Sequence, residues 1–260
     1  MPIRKRAIAA LMVLFTCVLA WGGNPLPWSH GENLEYDIGY GFLTAGQATL
    51  KTRPIGDSLI EFQTLATNNG FFETVYPVKD TILTRVRRKG FIPESFRKIN
   101  HEGGYHARSQ IHFDWLHQRA HLSDSVFAHV EGPLKRNFDS TVSISGEYHC
   151  IISAFYKVRS MYLEPGKVNY LQAVSGKKKY RMRVLVHGRE TVTVPAGTFK
   201  CLVVEPVLDG DGIFQAKGSL TIWLSDDARR LPVLMKSKIQ VGSIRAELRS
   251  WSMGAEALFP

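Results

Sequence analysis

Between Val192 and Leu248 apolar and polar side chains alternate from one turn signal to the next, and this period of two constrains the fold more than any other feature of the chain. Pro195-Ala196-Gly197, Asp209-Gly210-Asp211-Gly212, Asp226-Asp227 and Gly242-Ser243 cut the run into segments. Glycine tolerates positive φ and Asp bonds its own backbone, so these clusters read as turns. Within the segments, Val233, Met235, Ser237, Ile239 and Val241 fall on one face, and Lys236, Lys238 and Gln240 on the other. Ile244, Ala246 and Leu248 then oppose Arg245, Glu247 and Arg249. Successive strand side chains point to opposite sides, so the pattern predicts an antiparallel sheet with one face buried and one in water.

The same signal runs upstream. Leu34, Tyr36, Ile38 and Tyr40 alternate with Glu35, Asp37 and Gly39 in a first strand, and residues 42–52 read as its hairpin partner, with Ala45-Gly46 marking a bulge or bend. Residues 58–67, 79–88, 91–99 and 105–115 continue the series, and Phe71, Phe72, Val75 and Tyr76 read as a short helix or a loop folded over the sheet. Residues 168–174 and a long strand through Tyr180, Met182, Val184 and Val186 follow. One main helix is expected over residues 147–162. Tyr148, Ile151, Ile152, Phe155 and Tyr162 share a face at helical spacing, Arg159 lies near the negative end, and Glu164-Pro165-Gly166 stops the helix. Ten or more twisted strands curl rather than stay flat. The fold class expected is therefore all-β with one main helix: a strongly curved antiparallel sheet, or half-barrel, covered by an amphipathic helix.

The first twenty residues follow a different logic. Arg4-Lys5-Arg6 precede an apolar run over 7–19, and Val18-Leu19-Ala20 puts small or modest side chains at the positions a signal peptidase reads, the pattern of a secretory signal cut after Ala20. The run is shorter than the ~20 apolar residues of a comfortable span, so an uncleaved anchor is the lesser alternative. Phe15 and Thr16 before Cys17 do not suit a lipoprotein cleavage site. Residues 21–30 then form a Pro- and Gly-rich leader, 31–252 a single β-rich domain and 253–260 a tail. Losing residues 1–20 removes three basic and no acidic groups, leaving +7 of the formal +10. That modest excess suits work near anionic lipid, and without a motif it does not point to nucleic acid. Cys150 and Cys201 remain, each in an apolar setting. An oxidising compartment permits a bridge between them, and burial as two free thiols is the alternative.

A family resemblance rests on Gly31-Glu32, Leu34, Tyr36, Tyr40 and Ala45-Gly46, on the helix segment Ser153-Ala154-Phe155-Tyr156-Lys157-Val158-Arg159, and on the closing V-x-V-P-A-G-T-F-K-C and W-L-S-D-D-A-R-R-L-P-V. In these the chain resembles the bacterial exported-protein family catalogued as domain of unknown function 3108, over about 31–248. The resemblance implies no activity. It does imply an acidic residue at position 150, capping the helix or pairing with Arg159, where this chain has Cys150. A more distant likeness, carried by Ile222-Trp223-Leu224-Ser225-Asp226 through Leu231-Pro232-Val233, is to periplasmic lipoprotein-carrier half-barrels (LolA-like). These hold acyl chains between a curved sheet and helices. That likeness is one of architecture, and fold alone does not fix function.

Catalytic signals are few. His101, His106, His112, His117 and His121 cluster in sequence but match no zinc spacing, so no metal or cofactor is expected, and solvated strand faces account for them. No G-x-S-x-G occurs, and neither mature cysteine has a histidine at a recognisable spacing. Phe71, Phe72, Tyr148, Ile152, Phe155, Tyr162, Phe214 and Trp223 either line a pocket for a hydrophobe or form plain core. Lys177, Lys178, Lys179 and Arg181, with Arg159, are candidates for anionic headgroups or are simply solvated. The expectation is an exported periplasmic protein, outside the enzymes, that binds a lipid or acyl chain in envelope maintenance. An envelope assembly scaffold with a protein partner is the alternative, and a hydrolase or metalloenzyme has least support.

Overall fold

A computed structural model describes residues 26, 28, 31–41, 43–176, 178–208, 219–238 and 242–254. The strands are β1 (Glu32–Tyr40), β2 (Leu43–Ile55), β3 (Leu59–Asn68), β4 (Lys79–Arg87), β5 (Ile92–Glu102), β6 (Tyr105–Asp114), β7 (Arg119–Phe127) and β8 (Leu134–Ser143), then β9 (Val168–Ser175), β10 (Lys178–Val194), β11 (Gly197–Leu208), β12 (Leu220–Ser225), β13 (Pro232–Lys238) and β14 (Ser243–Met253). Two α-helices, α1 (Gly70–Val75) and α2 (Ile151–Ser160), and a single 3-10 turn at Lys89–Phe91 complete the described elements.

All fourteen strands belong to one sheet in the order β8-β7-β6-β5-β4-β3-β2-β1-β14-β13-β12-β11-β10-β9. Two meanders are thus sewn together where β1 pairs antiparallel with β14, Leu34 opposite Trp251 and Ile38 opposite Ala246. β8 and β9 form the outer edges, and α2 lies between them in sequence, so the chain crosses from one edge of the sheet to the other through the helix. The sheet curls far enough to bring its ends together: Val174 of β9 packs in one cluster with Phe96, Ile111 and Leu122 of β5 to β7. It remains open, because β8 and β9 do not pair.

The bulge expected at Ala45-Gly46 is present. Ile38 faces Gly46 and Gly39 faces Thr44, which leaves Ala45 as the extra residue. A side chain at Gly46 is excluded by the neighbouring strand, since a Cβ there would sit 2.2 Å from the Thr67 carbonyl oxygen. Bulges of this kind bend a strand and increase its twist.

The main helix is shorter than its apolar spacing suggests. Cys150 is the N-cap: the Ser153 amide donates to Cys150 Sγ at 3.5 Å, and the Cys150 amide donates to Ser153 Oγ at 3.0 Å. Upstream, His149 is extended and bonds to β9 instead, its amide donating to Gln172 O at 2.9 Å while its carbonyl accepts from Val174 N at 2.8 Å. Two strands absent from the sequence reading, β7 and β8, complete one side. β8 is an edge strand whose residues are mostly exposed, so it carries no apolar stripe to announce it.

Candidate functional site

α2 lies against the inner face of the sheet and leaves a cavity of about 300 Å³ between them. Ile152, Phe155 and Val158 line it from the helix, and Met182, Ile222 and Ala246 from the sheet. Of its twenty lining residues only Thr64, Ser175 and Tyr180 bear a polar oxygen or nitrogen on the side chain, and none is charged. The helix is held at this height by a buried ion pair on its other side, Arg159 with Glu32 of β1. Arg159 also lies over the rings of Trp28 and Tyr156, 4.9 and 5.1 Å from the ring centres. These packed layers set the spacing that leaves the cavity open.

A second, larger hollow of about 750 Å³ adjoins the first, and Ile151, Ser175, Tyr180 and Leu208 belong to the walls of both. Its far wall is the inner face of β4 to β8, where Lys98, Asn100, Glu102, Asp124 and Arg136 follow the apolar positions Phe96 and Ile111 toward the end of the sheet. Asn100 Nδ2 donates to Asp80 Oδ2 at 2.8 Å and to Glu102 Oε1 at 2.6 Å. Burial, reinforced by the Glu102 carboxylate and opposed by Lys98, raises Asp80 from the usual carboxylate range to about 6. The interior thus passes from largely apolar and uncharged beside α2 to polar and charged beside β5, β7 and β8.

A family model described as protein of unknown function (DUF3108) matches residues 35–249, from β1 to β14. The chain belongs to this family. A search of the solved structures adds a fold likeness: the crystal structure of a beta-barrel-like protein of domain of unknown function DUF1849 from Brucella abortus is similar, with a TM-score of 0.56, 10% identity, and coverage of 86% of this chain and 97% of that one. At that identity the likeness concerns the fold alone. No curated protein matches the chain.

At position 150 the Cys150 thiol caps α2, and Arg159 finds its carboxylate on β1. Cys150 and Cys201 are both free thiols. They are buried in separate clusters, Cys150 with Phe96 and Ile144 and Cys201 with Leu231 and Leu248, so the disulfide is not formed. Burial raises both thiols above their ordinary pKa, Cys201 to about 11, with the neighbouring carboxylates of Asp227, Asp226 and Glu190 adding to it.

Among the pocket candidates, Ile152 and Phe155 line the cavity. Tyr148 is buried in the cluster of Phe96 and Val174 and does not reach it. Trp223 faces the other way because it alternates with the inward Ile222 and Leu224. Its Nε1 donates to Glu190 Oε2 at 2.8 Å, and Lys236 lies over its ring. Tyr162 falls beyond the end of α2 and is 81% exposed, which removes it from any pocket. Phe72 sits on α1, away from the cavity lining. Phe214, Lys177 and the side chain of Phe71 lie outside the described residues.

Of the candidates for anionic headgroups, Lys178, Lys179 and Arg181 are exposed. Arg159 is not: it is 1% exposed and committed to Glu32, which removes it from the headgroup candidates. The histidines do not converge. His101 and His106 meet Nδ1 to Nδ1 at 3.1 Å, His112 and His121 stack across β6 and β7, and His117 bonds Asp114. Among the described residues no group of three or more His, Cys, Asp or Glu could hold a metal ion. No helix among them is long and apolar enough to cross a membrane.

Sequence alternation had placed Met182, Met235 and Ala246 on the buried face, yet it could not separate lining from filled core. That distinction depends on how closely α2 approaches, and the approach is set by Arg159, Glu32 and Trp28.

Proposed function

We propose that the protein is an exported binding protein of the bacterial envelope that takes up an apolar ligand, a lipid or an acyl chain, in the space between α2 and the sheet. What supports this reading is the cavity itself. Interiors pack to nearly the density of organic crystals, and an apolar void of about 150 Å³ already stays dry and admits benzene. This one is twice that size. At about 24 cal/mol per Å³, leaving it empty forgoes up to about 7 kcal/mol of packing, an upper bound because part of it opens outward. A domain's whole net stability is about 5–15 kcal/mol. An apolar ligand would recover part of that loss, whereas water would find almost no partners on these walls. Lys178, Lys179 and Arg181, exposed on β10, suit contact with anionic headgroups at a membrane surface.

The test is extraction. Organic extracts of protein purified from its native envelope, read by mass spectrometry, should contain a lipid in near-stoichiometric amount. Ala246→Phe, which fills the cavity from β14, should deplete it. A chain that yields no apolar compound and binds no fluorescent fatty acid would overturn the reading.

A second reading, an assembly partner within the envelope, draws on the sheet edges at β8 and at the part of β9 that His149 does not pair, which offer backbone groups for strand addition. Cross-linking in intact envelopes would capture a protein through these edges if that reading is correct, and none through them otherwise.

A further inference from the structure

We propose that the ligand is a single-chain amphiphile with a zwitterionic head, its chain in the apolar cavity beside α2 and its head in the adjoining groove against β5, β7 and β8. This rests on the reading of the cavity as a binding site and adds the chemistry of what enters it.

Continuity is the first support. Ile151, Ser175, Tyr180 and Leu208 border both spaces, so one molecule can span them. Relative size is the second. At about 300 Å³ the cavity stands at the lower end of the range for small-molecule pockets, about 300–1,000 Å³, and has room for one chain rather than two. The groove, at about 750 Å³, is the larger of the two. A narrow apolar recess opening into a wider polar one matches a slender tail with a bulky head.

Charge is the third support and decides the class of head. The groove wall carries Lys98 and Arg136 against Glu102 and Asp124, two of each sign. Part of this charge is already answered within the protein. The Lys98 ammonium lies 3.6 Å from Asp80, and Glu102 accepts from Asn100. Asp124 and Arg136 have no side-chain hydrogen bond or ion pair among the described residues, although they are diagonal neighbours on β7 and β8, where Val126 is the residue opposite Arg136. Two adjacent unpaired groups of opposite sign offer one site for an anion and one for a cation. A head of one charge would satisfy one group and face repulsion from the other, and a neutral head would desolvate both without return. A phosphate and an amine on the same head answer both.

The test is a series of probes with one twelve-carbon chain and different heads, titrated into the mature full chain below their micelle concentrations. The heads are phosphocholine, phosphate, carboxylate, primary amine and alcohol. The phosphocholine probe should bind about ten-fold or more tightly than any other, the size of effect expected of a charge-assisted contact. Asp124→Ala and Arg136→Ala should each remove about ten-fold of that preference and should bind the alcohol no more weakly than the parent does. Equal affinity across the series, or a preference for a singly charged head, would overturn the assignment of the head while leaving the cavity reading intact. Failure of every probe to bind, with Ala246→Phe indistinguishable from the parent, would overturn the cavity reading itself.

Discussion

Arg159 of α2 and Glu32 of β1 form a two-armed ion pair with neither side chain reaching solvent. Nη1 donates to Oε2 at 2.7 Å and Nη2 to Oε1 at 2.6 Å, across 127 positions of sequence. Arg159 Nε also donates to the Arg230 carbonyl at 2.9 Å, so one side chain ties the helix to the start of the domain and to the β12–β13 turn. Burial disfavours the charge on Arg159, but the attraction and hydrogen bonds of Glu32 outweigh it and leave the guanidinium above its ordinary pKa. Removing one partner of such a pair strands the other. Arg159→Met should cost about 3–5 kcal/mol in urea unfolding, and Arg159→Met combined with Glu32→Leu should recover a substantial part of that loss. A double variant as unstable as the sum of its singles would show that the pair is not coupled.

Phe155 touches three of the four apolar clusters and also faces the cavity. Because one side of its ring meets space rather than packed atoms, Phe155→Ala should cost less than the about 3–5 kcal/mol of a fully enclosed phenylalanine, about 2 kcal/mol. The same variant should weaken binding of the apolar probe. A loss at the upper end of the range, with binding unchanged, would show that the ring serves only the core.

Asp80 supplies a pH dependence with a defined sign. Its folded pKa of about 6 stands above the unfolded value of 3.8, so the native chain holds a proton across that window that the unfolded chain releases. Stability from this group is therefore greatest below pH about 4 and is lost as pH rises toward and past 6. After allowance for partial exposure the loss is about 1 kcal/mol. Asp80→Asn should flatten the profile between pH 4 and 7 and gain about that amount at pH 7.5, measured by denaturant midpoints. A parent protein that gains stability relative to the variant over the same window would contradict this.

Two glycines should respond in opposite ways. At Gly46 an added Cβ collides with the Thr67 carbonyl, and Gly46→Ala should cost about 1–3 kcal/mol. Gly188, at the bulge of β10, has nothing within 4 Å of a built Cβ and no positive φ. Gly188→Ala should therefore be neutral or stabilising by up to about 1 kcal/mol. Thermal melts of the two variants distinguish strand crowding from a general need for flexibility.

The thiols make a simple check. Native protein should react slowly with a thiol reagent at Cys150 and Cys201, and the denatured chain, without reductant, should release one equivalent from each of them, read by mass mapping of the labelled residues. Cys150→Ser should keep the helix cap, while Cys150→Val should cost about 1 kcal/mol by removing the acceptor for the Ser153 amide. A non-reducing gel that shows an intramolecular bridge would contradict the separation of the two clusters.

Much of the sheet was legible because strand periodicity is local. The alternation of Leu34 to Tyr40 and of Ile244 to Leu248 is written in consecutive residues, and the Ala45-Gly46 bulge announces itself by composition. β8 was not legible, since an exposed edge strand buries no face and so has no reason to alternate. Helix length misled for a related reason. Residues 147–149 continue the apolar spacing of α2, but β9 claims the His149 backbone, and only the tertiary arrangement puts β9 within reach.

For the site, the sequence alone determined that Ile152 and Phe155 lie on an apolar helix face and that Met182, Met235 and Ala246 lie on an apolar sheet face, since each follows from a short-range period. Whether those faces meet or stand apart was decided in three dimensions. Glu32 and Trp28 come from the far end of the chain to receive Arg159, and the distance this fixes between helix and sheet leaves room for a guest. Pairing of that kind depends on groups more than a hundred residues apart, and no window along the chain contains both.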